Sequence, residues 1–142
     1  MTVVVDTGPL YALADRRDRH HAACRDWYLK TDPRRLIIPA PVLAEACHLI
    51  ERSCGSQVEA AFLEDLGRGS YGTVVTVEPV DLIRAGALVR QHAQLPLGGT
   101  DAMVIAVAER LRVPTVATVD WRHFNVVRPA HVPAFTIVPG SP

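Results

Sequence analysis

Surplus charge, lysine and regularly spaced cysteine are what this chain of 142 residues lacks. Lys+Arg and Asp+Glu number 15 each, the formal net charge is zero, and Lys30 is the only lysine. A polyanion such as RNA or DNA could therefore be held only by local basic patches, not by the field of the whole molecule. The candidates are Arg16-Arg17-Asp18-Arg19-His20-His21, Arg34-Arg35, and Arg122-His123 with Arg128. Cys24, Cys47 and Cys54 form an odd set without a Cys-x-x-Cys pair. That argues against a disulfide framework and for a reducing, cytoplasmic setting. Aromatic residues make up only 6% and are scattered, so no base-stacking platform can be read from them. The longest unbroken apolar run, Ala102 to Ala108, is too short to cross a bilayer, and no basic-then-apolar opening suggests a signal peptide. The expectation is a soluble domain spanning residues 1–142, with no membrane role.

What is present is apolar sequence in alternating blocks. Hydrophobic residues make up 49%, enough for a substantial core at this length. Thr2 to Val5 reads as a buried strand that ends in Asp6, with Gly8-Pro9 stopping it and Pro9 suited to a first helical position. Further strands are expected at Leu36–Ile38, Thr73–Val77, Thr115–Val119 and Phe135–Val138. Helices are expected at Leu10–Ala14, about Arg19–Leu29, Pro41 to about Arg52, Ser56 to near Gly67, from Pro79 onward, and Thr100–Leu111. Ser56-x-x-Glu59 has the form of a capping box, and Leu82, Ala85, Val89 and Ala93 would share one helical face. Such alternation implies an α/β fold with a mostly parallel sheet covered on both faces.

In open parallel sheets, ligands and catalytic groups gather at the carboxyl ends of the strands. Four acids fall at or near that edge. Asp6 and Asp120 each follow a β-branched strand. Glu45 lies early in the Pro41 helix, about 40° outside the apolar face formed by Val42, Leu43, Ala46, Leu49 and Ile50. Asp101 opens a helix that is apolar all round, where a carboxylate is costly unless the helix N-terminus or a cation compensates it. Each acid has an ordinary explanation on its own: cap, turn or exposed helical position. Together they suggest a carboxylate cluster, which needs protonation, dispersal or a cation. Hard oxygen donors of this kind suit Mg2+ or Mn2+, as used in metal-assisted phosphodiester cleavage.

Four segments carry a family resemblance across essentially the whole chain. They are Val5-Asp6-Thr7-Gly8, Val42-Leu43-Ala44-Glu45, Thr100-Asp101-Ala102-Met103-Val104-Ile105-Ala106, and Thr118-Val119-Asp120-Trp121-Arg122-His123-Phe124. In order and spacing they resemble the PIN domain, and more narrowly a VapC-type toxin ribonuclease. The resemblance implies a three-layer α/β/α sandwich around a sheet of about five strands, usually homodimeric. It also implies Mg2+- or Mn2+-dependent endoribonuclease activity, with a small antitoxin protein as partner. Carried over by position, Asp6, Glu45, Asp101 and Asp120 become the metal-binding acids of the catalytic site. Thr7 and Thr118 become neighbours able to hydrogen-bond a ligating carboxylate. Relatives often carry Ser or Asn where this chain has Gly8.

Arg122 and His123 follow Asp120 closely and could touch the substrate backbone, while Phe124 is expected to anchor that loop in the core. Trp27 and Tyr28 read as packing or dimer surface. An aspartyl-phosphate phosphatase would need a second acid at position 8, which is Gly. A receiver-like domain would need paired acids near the first strand and a late Lys, and neither is present. A PIN scaffold that binds RNA or protein without cutting is the alternative.

Overall fold

The computed structural model describes residues 1–140. Five strands, β1 (Val3–Val5), β2 (Leu36–Pro39), β3 (Thr73–Val75), β4 (Thr115–Ala117) and β5 (Thr136–Val138), form one sheet in the order β3-β2-β1-β4-β5. Every pairing is parallel, with Val4 opposite Ile37 on one side and Val116 on the other. Val3, Val4 and Val5 are all buried. Successive strand residues point to opposite faces, so both faces of the sheet are covered and the expected layered α/β architecture is present.

The helices are α1 (Thr7–Ala14), α2 (His21–Leu29), α3 (Ala40–Cys54), α4 (Ser56–Gly67), α5 (Pro79–Gln91), α6 (Gly99–Arg110) and α7 (Trp121–Val126), with a 3-10 turn at Pro33–Arg35. The chain builds β1, β2 and β3 outward in one direction, then returns across β1 to place β4 and β5 on its other side. The reversal leaves a crevice beyond the carboxyl ends of β1 and β4, the position where α/β sheets hold ligands. α6 is the buried spine next to it: Ala102, Val104, Ile105, Ala106, Val107 and Ala108 are all buried, as its all-apolar sequence requires.

Several local expectations are corrected. α1 starts at Thr7 with Asp6 as N-cap, so Pro9 is the third helical residue rather than the first. Ser56 makes no capping hydrogen bond, because Gly55, at φ 83°, both ends α3 and precedes α4. The true capping box is Glu78 with Asp81, where the Asp81 carboxylate accepts from the Glu78 N–H at 2.9 Å. α5 buries Asp81, Ala85 and Leu88, while Leu82 and Val89 are exposed. That rotation follows from Asp81, which the Arg110 guanidinium draws inward: Arg110 Nε donates to both Asp81 oxygens at 3.0 Å. α7 was not expected at all, since its six residues carry no apolar repeat long enough to show. Cys24 is buried as a core filler, whereas Cys47 is only half-buried, and all three thiols are free. Trp27 and Tyr28 pack against the core, edge to face with each other. Among the described residues, no helix is long and apolar enough to cross a membrane.

Arg110 also reaches the Thr76 carbonyl at 3.3 Å and Glu78 at 3.4 Å, so it ties α6 to the start of α5. Asp81→Ala would leave that guanidinium without its buried partner. Urea unfolding should show a loss of about 3 kcal/mol, the scale of breaking a buried ion pair from one side. Glu78→Gln, which touches only the exposed part of the contact, should cost less than about 1 kcal/mol.

Candidate active site

β1 delivers Asp6 into the crevice, and two contacts fix its place. The Asp6 N–H donates to the Ala117 carbonyl at 2.9 Å, joining the end of β1 to the end of β4. The Thr118 hydroxyl donates to Asp6 Oδ2 at 2.9 Å while accepting from the Asp120 N–H at 3.0 Å. Thr118 is fully buried and its own N–H donates to the Val138 carbonyl, so this hydroxyl is a fixed link between the two acids. Asp6 Oδ1 is buried with no hydrogen-bond partner, and so is the Thr7 hydroxyl.

A cavity of about 200 Å³ opens over these groups. Its walls include Asp6, Glu45, Asp101 and Asp120, so the four acids predicted from sequence line one space. They come from four elements: the end of β1, the second turn of α3, the first turn of α6 and the N-cap of α7. Glu45 is exposed at the rim, in keeping with its place beside the apolar face of α3. Asp101 and Asp120 are half-buried, and Asp6 is the deepest of the set.

The electrostatics follow from that depth. Burial pushes the Asp6 carboxyl up to about 7, against an ordinary 3.8, and the nearby Asp101 and Glu45 charges add to the rise. Hydrogen bonds from the Thr7 backbone and the Thr118 hydroxyl oppose it. Asp101 is raised as well, first by desolvation and then by Asp120 and Glu45, while His123 and a backbone hydrogen bond at Gly98 pull it down. The donors are hard carboxylate oxygens, one of them buried and unpartnered, which fits a divalent cation better than it fits an empty cavity.

His123 stands elsewhere than expected. It is buried, not presented to a substrate backbone, and its Nδ1 lies 2.6 Å from Asp120 Oδ2 and 3.3 Å from Asp101 Oδ2. Neither ring nitrogen makes an aligned hydrogen bond. Asp101, Asp120 and His123 form a group of possible ligand atoms, all within 4.8 Å of one another. Its link to Asp120 is the i, i+3 spacing of a helix, invisible while α7 itself was unrecognised. Arg122, the other expected substrate contact, is exposed. Phe124 is buried as the anchor of α7. Tyr11 and Leu49 also wall the cavity and were not singled out from sequence. Their helical spacing with Thr7 and Glu45 was the available signal.

Gly8 has a steric reason. A Cβ there would come within 2.3 Å of Val119 Cγ2, so the Val119 side chain fills the space that a residue at position 8 would use.

The chain matches the PIN domain over residues 3–129 and belongs to that family. It is 28% identical over 137 residues to Ribonuclease VapC26 of Mycobacterium tuberculosis, covering 96% of this chain and 100% of that protein. Three solved structures share the fold. VapC20 of Mycobacterium tuberculosis, described as a Sarcin-Ricin loop cleaving toxin, superposes with a TM-score of 0.74 at 20% identity, over 81% of this chain and 87% of its own. FitAcB of Neisseria gonorrhoeae gives 0.66 at 16% identity, over 87% and 91%. A toxin–antitoxin complex from Klebsiella pneumoniae gives 0.65 at 16% identity, over 95% and 100%.

Two outcomes are expected. Gly8→Ser should lower the melting temperature, and Val119→Ala in the same chain should restore most of the loss, because the clash has one identified partner. The second concerns pH. In the folded metal-free protein Asp6 keeps its proton up to about pH 7, whereas in the unfolded chain it releases it near 3.8. Its contribution to stability is thus fully present below about pH 4 and lost as the pH rises through about 7. Calorimetry of wild type minus Asp6→Asn should show that component falling between those limits.

Proposed function

We propose that this chain is a divalent-metal-dependent endoribonuclease and the toxin of a toxin–antitoxin pair. The observation that carries the reading is the convergence of Asp6, Glu45, Asp101 and Asp120 on one cavity of a PIN domain chain, around a buried carboxylate oxygen without a partner. Membership of the family and likeness to a named ribonuclease along the full chain support it. The antitoxin partner is supported by the fold shared with a toxin–antitoxin complex. RNA as substrate, pairing into a homodimer and action in the cytoplasm belong to the same reading.

In this assignment Asp6, Asp101 and Asp120 hold Mg2+ or Mn2+, with Glu45 contributing directly or through water. When bound, the cation supplies charge stabilisation to the phosphodiester and a more acidic water. The protein's own residues set the stage. Thr118 keeps Asp6 Oδ2 engaged, so that Oδ1 is the atom left to bind. Binding a cation must displace the Asp6 proton, so affinity weakens below about pH 7. His123 touches two of the acids and acts by orienting them. Arg122, exposed and next to His123 in the chain, remains available to a substrate phosphate.

Incubation of total RNA with Mg2+ or Mn2+ tests the proposal. Wild type should cut it, and Asp6→Asn should be slower by more than about a hundredfold while keeping its fold. Full activity of Asp6→Asn, or binding of RNA without cleavage by wild type, would overturn it, the latter in favour of a non-cleaving scaffold. Independently, Mn2+ should raise the melting temperature by several degrees, and by less in Asp6→Asn and Asp101→Asn.

A further inference from the structure

The basic turn between α1 and α2 has no part in the acid cavity, yet it ends at a second cavity directly behind it. This one measures about 240 Å³. Its walls include Arg19, His20, Thr118, Val119 and Trp121. Val119 lines both cavities, and the Thr118 hydroxyl holds Asp6, so the two spaces are separated by the thickness of one strand end.

The charge here is available. Arg17, Arg34, Arg68, Arg84 and Arg110 are each paired with a carboxylate. Arg19 has no such partner among the described residues, and its Nε donates to His20 Nε2 at 3.1 Å. That contact steers the guanidinium without placing a carboxylate on it. His20 is itself braced by its N–H on Asp18 Oδ1 at 2.8 Å. Trp121, half-buried and the first residue of α7, lines the same cavity. A cation beside an aromatic ring is the pairing that holds single-stranded nucleic acid, the ring taking a base and the cation a phosphate. In a chain with no net charge, something local must draw the RNA backbone toward four carboxylates.

We propose that this second cavity is a subsite for the nucleotide adjoining the scissile phosphate, its base against Trp121 and its phosphate against Arg19. The assignment rests on the ribonuclease reading above and adds a residue-level account of substrate positioning. The scattered aromatics gave no such platform in the sequence. Folding places one of them in the same cavity as a cation that pairs with no carboxylate among the described residues.

Two readouts test it. In Trp27→Phe protein, Trp121 is the sole indole; uridine or adenosine 5′-monophosphate should quench its fluorescence saturably, and Arg19→Ala should weaken the apparent Kd about tenfold. In cleavage of a short single-stranded RNA with Mn2+, Arg19→Ala and Trp121→Ala should raise KM about tenfold. Trp121→Phe should retain most of the wild-type KM, which a purely structural loss would not predict from the alanine variant alone. Hydrolysis of bis(p-nitrophenyl) phosphate, which offers no base or neighbouring phosphate, should be unchanged in Arg19→Ala. Wild type inactive on both substrates would remove the ribonuclease reading, while the fluorescence titration would still decide whether a nucleotide enters the cavity. Active wild type with no quench, and an unchanged KM in Arg19→Ala and Trp121→Ala, would overturn the subsite. So would saturable binding of an acidic peptide with none of either nucleotide, which would mark a protein contact.

Discussion

The rest of the site depends on one costly placement: a carboxylate sunk at the end of a fully buried strand, with two other acids close enough to raise its proton affinity. Asp6 could not be held there by hydrogen bonds alone, since only one of its oxygens receives a side-chain donor. The fold meets the cost from several directions. Thr118 engages one oxygen, the first turn of α1 supplies backbone dipole, and without a cation a proton neutralises the group below about pH 7. A metal ion removes the like-charge conflict outright, and for this reason the geometry reads as a binding site rather than a flaw in packing.

Strand order explains why the acids meet. β1 lies at the centre, with β2 on one side and β4 on the other, so the ends of β1 and β4 face the same crevice although 112 residues separate Asp6 from Thr118. α6 brings Asp101 to the same place by running its buried length beneath the sheet edge, and α3 brings Glu45 to the rim. At its far end α6 is fastened by Arg110 to Asp81. Position along the chain and position in the site are therefore connected through rigid, buried elements, not through flexible loops.

Much of this was legible in the residues. β-branched runs located the strands, the all-apolar stretch after Asp101 marked a buried helix, and the acids stood where a parallel sheet would place them. What escaped had physical reasons. α7 is too short for periodicity, so the approach of His123 to Asp120 could not be seen. α5 turned by the pull of a buried ion pair, which outweighed its apolar pattern: Asp81 went in and Leu82 came out. The gap at Gly8 was understandable only once Val119 was seen to fill it, because a steric contact between residues so distant in sequence leaves no local signature.

Asp6 and Asp101 are mounted directly on the core. Val3 to Val5 lead directly from the core into Asp6, and Ala102 leads from Asp101 directly back into it. Bending that frame would open the best-protected part of the molecule, at a free energy approaching that of global unfolding. Moving Asp6 or Asp101 by bending β1 or α6 is therefore costly. Something that stoppered the mouth of the cavity would shut off the acids and leave these walls as they are.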